Sequence, residues 1–146
     1  MSALSTTEFL RRLPGVVRPL LPEPLRGFQL RTRGWLIQLW YGTDPRIHYE
    51  VWVHGGRSLL ELGLHCEADA ARNEWLRRRL LQRLFELKAE LGNVVEVEEW
   101  DKGWSRLYET HPLNPVDEAR LDDFAARVAR FIAVVQPVLD EISAEG

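Results

Sequence analysis

The tightest constraint on the fold of this chain lies in residues 46–66, RIHYEVWVHGGRSLLELGLHC. Ile47, Tyr49, Val51 and Val53 alternate with His48, Glu50, Trp52 and His54 before Gly55-Gly56. Beyond the glycines, Leu60, Leu62 and Leu64 alternate with Leu59, Glu61, Gly63 and His65. Period-two alternation on both sides of a glycine pair predicts a β-hairpin with one apolar face. A two-residue turn pairs Val51 with Leu60 and Tyr49 with Leu62. It also sets Glu50 opposite Glu61, with His48 and His65 diagonal to them. A slip of one residue would turn the leucines to the other face, so the pattern restricts its own register.

The segments on either side supply the remaining elements. Ser5-Thr6-Thr7-Glu8 is a capping box for a short helix that Pro14-Gly15 should end. Residues 28–41, FQLRTRGWLIQLWY, read as one long strand. Trp35, Ile37, Leu39 and Tyr41 fall on one side, with Leu36, Gln38 and Trp40 on the other. Residues 68–91 switch to helical spacing through Leu76, Leu80, Leu84, Leu87 and Leu91, with Asp69 as N-cap. Next comes a hairpin across Asp101-Lys102-Gly103, which sets Trp100 opposite Trp104, Glu98 opposite Arg106 and Val97 opposite Leu107. A type I turn with a G1 bulge suits that loop. Asn114-Pro115 is expected to open the last helix, with apolar residues at alternating three-four spacing from Leu121 to Ile142.

Together these give one α+β domain over residues 1–146, in the order α-βββ-α-ββ-α. An antiparallel sheet, a three-strand meander plus a C-terminal hairpin, carries helices on one face. The chain has 146 residues, enough to bury a core without staples. The single cysteine, Cys66, excludes an intrachain disulfide and falls on the leucine face, where it acts as a small apolar residue. A net charge of -3 disfavours a nucleic-acid partner. No membrane-length apolar run and no secretory leader are apparent, which points to the cytoplasm.

Three readings of function follow from the residues. No G-x-S-x-G, P-loop or dinucleotide motif is present, so no residue is assigned a catalytic role and no cofactor is called for. The cluster His48, Glu50, Glu61 and His65 carries the rival reading, a small enzyme or metal-binding protein, since imidazoles and paired carboxylates suit a divalent ion or acid-base work. The plainer explanation is a set of polar groups on a solvated sheet face. Finally, Leu36, Trp40, Trp52 and Leu59 place apolar surface on the face opposite the leucines, where few helices remain to cover it. Those four residues are the expected partner-binding surface, closed in a homodimer or by another protein.

The element order also resembles the type III secretion chaperone-like fold, whose small acidic members are dimers that bind extended segments of other proteins. The resemblance implies a dimeric, chaperone-like interaction module. Residues 91–100, LGNVVEVEEW, through Ser105-Arg106-Leu107, with the hairpin and helix before them, are similar to an uncharacterised domain appended to restriction-endonuclease-like nucleases. That similarity implies an accessory role and brings no catalytic residues. The reading taken forward is a non-enzymatic interaction module.

Overall fold

A computed structural model describes residues 3–146. Helix α1 spans Thr6–Val17, and two short 3-10 turns lead to strands β1 (Gln29–Arg33), β2 (Leu36–Trp40), β3 (Ile47–His54) and β4 (Leu59–Cys66). Helices α2 (Ala70–Gln82) and α3 (Leu84–Leu91) precede β5 (Glu96–Trp100), β6 (Trp104–Pro112) and the long α4 (Glu118–Glu145). The six strands form one antiparallel sheet in the order β1-β2-β3-β4-β6-β5. The α+β class and the meander with a C-terminal hairpin are as expected. None of the helices described is long and apolar enough to cross a membrane.

One face of the sheet is the core. Ile37, Leu39, Tyr49, Val51, Val53, Leu60, Leu62, Leu64, Cys66 and Leu107 are all buried there with side chains of all four helices. Period-two alternation on β3 and β4 produces this face, and three-four spacing on α4 supplies Leu121, Phe124, Val128, Phe131 and Val135 to meet it. The Tyr49 ring stands edge-on to Phe131, and its hydroxyl donates to Gln136 Oε1 at 2.8 Å, so its polar end is satisfied inside the core. Cys66 is fully buried, and burial pushes its thiol up to about 12, as befits an inert apolar filler.

Several local expectations are corrected. Residues 28–41 form a hairpin, not one strand: Gly34 takes φ +56, and Arg33 pairs with Leu36 around a Gly34-Trp35 turn. A positive φ at the first of two loop residues is what a type II′ turn requires, and only glycine meets it without strain. Trp35 therefore sits exposed at the tip, off the core face. The β3-β4 loop has four residues, with Ser58 at φ +51, so Val51 pairs with Leu62 and Tyr49 with Leu64. This slip of two keeps Leu60, Leu62 and Leu64 on the core side but separates Glu50 from Glu61. His48 now faces His65, Glu50 faces Gly63, and Trp52 faces Glu61.

The β5-β6 register is as predicted, although Lys102 as well as Gly103 has positive φ. Helix α1 continues through Pro14 to Val17, capped by Ser5 Oγ, which accepts from the Glu8 amide at 3.1 Å. Helix α2 starts at the predicted Asp69 cap, and the chain breaks at Arg83 before α3. Asp117, not Asn114, caps α4, its carboxylate accepting from the Arg120 amide. That helix then runs through Pro137.

Candidate functional site

With every described helix on the core face, the other face of the sheet is helix-free among the described residues. Alternation carries Leu36, Gln38, His48, Glu50, Trp52, Glu61, Gly63, His65, Arg106 and Tyr108 onto it. An open hollow of about 640 Å³ lies there, lined only by strand and loop residues, among them Arg33, Leu36, Trp52, Glu67, Trp100 and Trp104. Trp52 and Trp100 stand 6.1 Å apart between ring centres, Trp100 and Trp104 5.9 Å, and all three are half-buried. Trp100 also stands edge-on to His65 at 5.6 Å. This aromatic rim shields a polar floor from water.

The floor is not solvated, as a surface reading of these residues would have it. His48, Glu50, Glu61 and His65 are between 0% and 3% exposed. Buried charges must be paired or hydrogen-bonded, and each of these is. Gln38 Nε2 donates to Glu50 Oε1 at 3.2 Å, and His48 Nε2 stands 3.1 Å from the same oxygen. On the far side of the ring, His48 Nδ1–H donates to the Pro45 carbonyl at 2.8 Å, which fixes that nitrogen as the protonated one.

His65 is held in a similar way. Its Nε2 lies 2.6 Å from Glu61 Oε2, and its Nδ1 lies 3.2 Å from Glu67 Oε2 and 3.7 Å from Glu50 Oε2. The two imidazole planes stack 5.8 Å apart at 18°. Burial pulls the His65 pKa down, but hydrogen bonds to Glu61 and Glu67, with Glu50 behind them, outweigh it and push the ring up to about 9. Burial likewise raises Glu50, but the His48 bond and nearby His65 outweigh it and hold its carboxyl below the usual range.

Glu61 is anchored from the opposite side by Arg106. That guanidinium also donates through Nε to Glu98 Oε1 at 2.9 Å and lies over the rings of Tyr108 and Trp100. The tyrosine hydroxyl donates to the other Glu98 oxygen. The arrangement depends on β6 lying beside β4, which sets Arg106 opposite His65.

Gly63 occupies the centre of the floor. A Cβ there would stand 2.8 Å from Tyr108 Cβ and 2.9 Å from the Leu107 carbonyl, so the strands would have to part. Gly63→Ala should therefore destabilise by about 1–3 kcal/mol in urea melts, as overpacking does. A cost below about 0.3 kcal/mol would mean that the sheet yields freely there.

Of the residues expected to bind a partner, Leu36 and Trp52 line this hollow. Leu59 is half-buried on the neighbouring stretch of the face, beside His54 and Glu61. Trp40 is 9% exposed, lies under the Arg31 guanidinium and does not line the hollow. Of the four metal candidates, His48, Glu50 and His65 converge. Glu61 turns away to brace His65, and Glu67 takes its place. Glu67 continues the period-two face Glu61, Gly63, His65, and that alternation was the signal for it, one residue beyond the strand's end at Cys66. Trp100, Trp104 and Arg106 reach the site through the β4-β6 pairing, a non-local contact that no local pattern encodes.

The decisive comparison is negative. No family model, curated protein or solved structure matches this chain. The reading of function therefore rests on its own residues.

Proposed function

We propose that the protein is a non-enzymatic interaction module that works through its helix-free sheet face and closes that face by pairing with a second copy. One observation carries the reading: every helix packs on the core side, while the other side presents Leu36, Trp52, Trp100 and Trp104 around an open hollow. Aromatic side chains gathered on an uncovered surface favour burial against a partner. The distribution of charge favours a second copy as that partner. On this face the outer strand β1 carries Arg31 and Arg33, and the opposite outer strand β5 carries Glu96 and Glu98.

A two-fold axis lying between two such sheets, parallel to the strands, lays each basic edge over the acidic edge of the other copy. An isologous interface requires this kind of self-complementarity.

Light scattering over a dilution series tests the reading. The expected mass at micromolar concentration is that of a dimer. Trp52→Glu should weaken association by about thirtyfold or more, as loss of a central aromatic anchor does. Arg33→Glu should weaken it less, and adding Glu96→Arg should restore it. A monomeric mass for the unaltered chain at micromolar concentration would remove the homodimer and leave the face to a different protein.

A further inference from the structure

The geometry points to a divalent transition-metal centre at the floor of the helix-free face, held by His48 Nε2, His65 Nδ1 and one carboxylate oxygen each from Glu50 and Glu67. One ligand atom from each of these residues falls within a set no more than 4.8 Å across. The nearest approaches are 3.1 Å from His48 Nε2 to Glu50 Oε1, 3.7 Å from His65 Nδ1 to the other Glu50 oxygen, and 3.2 and 3.9 Å from His65 Nδ1 and His48 Nε2 to Glu67 Oε2. Zinc-type bonds of about 2.0–2.2 Å in a tetrahedron place neighbouring ligand atoms about 3.3 Å apart. The imidazole–carboxylate approaches lie near that edge and the whole set within 4.8 Å, so turning the Glu50 carboxylate and drawing the side chains together closes the shell.

The outer contacts favour a metal over a chance cluster. A ligating histidine normally donates its other N–H to a carbonyl or a carboxylate, which fixes the ring and its tautomer. Both forms occur here. His48 donates Nδ1–H to the Pro45 carbonyl, and His65 directs Nε2 at Glu61, itself gripped by Arg106. In each ring the remaining nitrogen points at Glu50 and Glu67. Charge balance agrees with the geometry. With both imidazoles neutral, as ligands must be, the two ligating carboxylates, Glu50 and Glu67, carry two negative charges, which one divalent ion neutralises.

The chemical class follows from the ligands. Two imidazoles and two carboxylates suit Zn²⁺, Fe²⁺, Mn²⁺ or Co²⁺, whereas Ca²⁺ and Mg²⁺ prefer shells made of oxygen alone. Four protein ligands make a closed, structural kind of site. Three of them, His48, Glu50 and His65, are buried, and Glu67, with 19% of its side chain exposed, is the ligand on the solvent side.

The test uses the full chain, stripped with a chelator and titrated separately with Zn²⁺, Mn²⁺ and Mg²⁺ by calorimetry and thermal denaturation. Co²⁺ serves as a visible-absorption probe of nitrogen ligation. The expected result is saturable binding of one Zn²⁺ per chain, a raised melting temperature, and ligand-field bands with Co²⁺. Glu67→Gln should weaken binding by tenfold or more, and His48→Gln should abolish it. Glu90→Gln, on α3 across the sheet from the ligand set, should leave the affinity within about twofold. Because His48 is buried and its variant can misfold, Glu67→Gln with a native circular-dichroism spectrum is the deciding variant. Absence of one-to-one binding to the unaltered chain, equal affinity in folded Glu67→Gln, or Mg²⁺ binding as tightly as Zn²⁺ would each overturn the assignment.

Discussion

Arg127→Leu should destabilise the protein by about 3–5 kcal/mol in urea melts at neutral pH, because it strands a carboxylate inside the core. Glu109 lies on the core face of β6, with its side chain fully buried. From α4, Arg127 grips both of its oxygens, Nε to Oε2 at 2.8 Å and Nη2 to Oε1 at 2.6 Å, and also donates to the Leu91 carbonyl at the end of α3. One side chain thus ties β6, α3 and α4 together. Without it Glu109 keeps only His111, whose Nε2 lies 2.6 Å from Oε2. Replacing both members, Arg127→Leu with Glu109→Met, should recover much of the loss, since an apolar pair of similar volume needs no desolvated charge. A single-variant cost under about 1 kcal/mol would show that water reaches the carboxylate.

The same pair gives the acid limb of stability a predictable component. Burial works to raise the Glu109 pKa, but the Arg127 hydrogen bonds, then those of His111, outweigh it and hold the carboxyl below its usual value of 4.5. A group whose folded pKa is depressed stabilises the fold fully above its unfolded pKa. That contribution is lost as pH falls through the folded value. The stability gap between the unaltered protein and Glu109→Gln should therefore be widest at neutral pH and narrow from about pH 4.5 downward. Urea midpoints at a series of pH values would show it. A gap independent of pH would mean that Glu109 does not titrate with folding.

Face assignment was legible in the sequence because parity is robust. A hairpin loop of four residues in place of two shifts register by two, and an even shift returns Leu60, Leu62 and Leu64 to the core. The site was less legible for the same reason: the pairs across the strands changed while the faces did not. Glu50 and Glu61, expected opposite each other, are separated, and His48 comes to face His65. Gly34 carried an ambiguous signal, since a glycine inside a run of strand formers suits a bulge as well as a turn. Its positive φ resolves the segment into two strands and moves Trp35 from the expected core to the surface. The β4-β6 pairing brings Arg106 and the Trp100-Trp104 pair over the polar floor. It joins segments about forty residues apart around two helices, and no local periodicity reports such a contact.

Leu62→Ala is expected to cost about 2–5 kcal/mol, the transfer energy of the lost side-chain atoms plus the cavity they leave. Leu62 is fully buried on a central strand, with Val51 beside it on β3 and Glu109 beside it on β6. The second neighbour decides where in that range the cost falls. A cavity lined only by apolar groups stays dry, whereas one beside a carboxylate can hold a water with a polar partner. Leu64 on the same face lies between Tyr49 and Leu107, with no charged neighbour in register. Leu64→Ala should therefore cost more than Leu62→Ala, by about 1 kcal/mol at the scale of one hydrogen-bonded group. The two predictions on this face are also coupled. Water admitted by Leu62→Ala would solvate the Glu109 carboxylate that Arg127→Leu leaves unpaired. The double variant should thus lose less than the sum of the singles, the non-additivity expected of sites that share a partner. Additive losses, or a Leu62→Ala cost under about 0.5 kcal/mol, would mean that Leu62 does not pack against the ion pair as placed here.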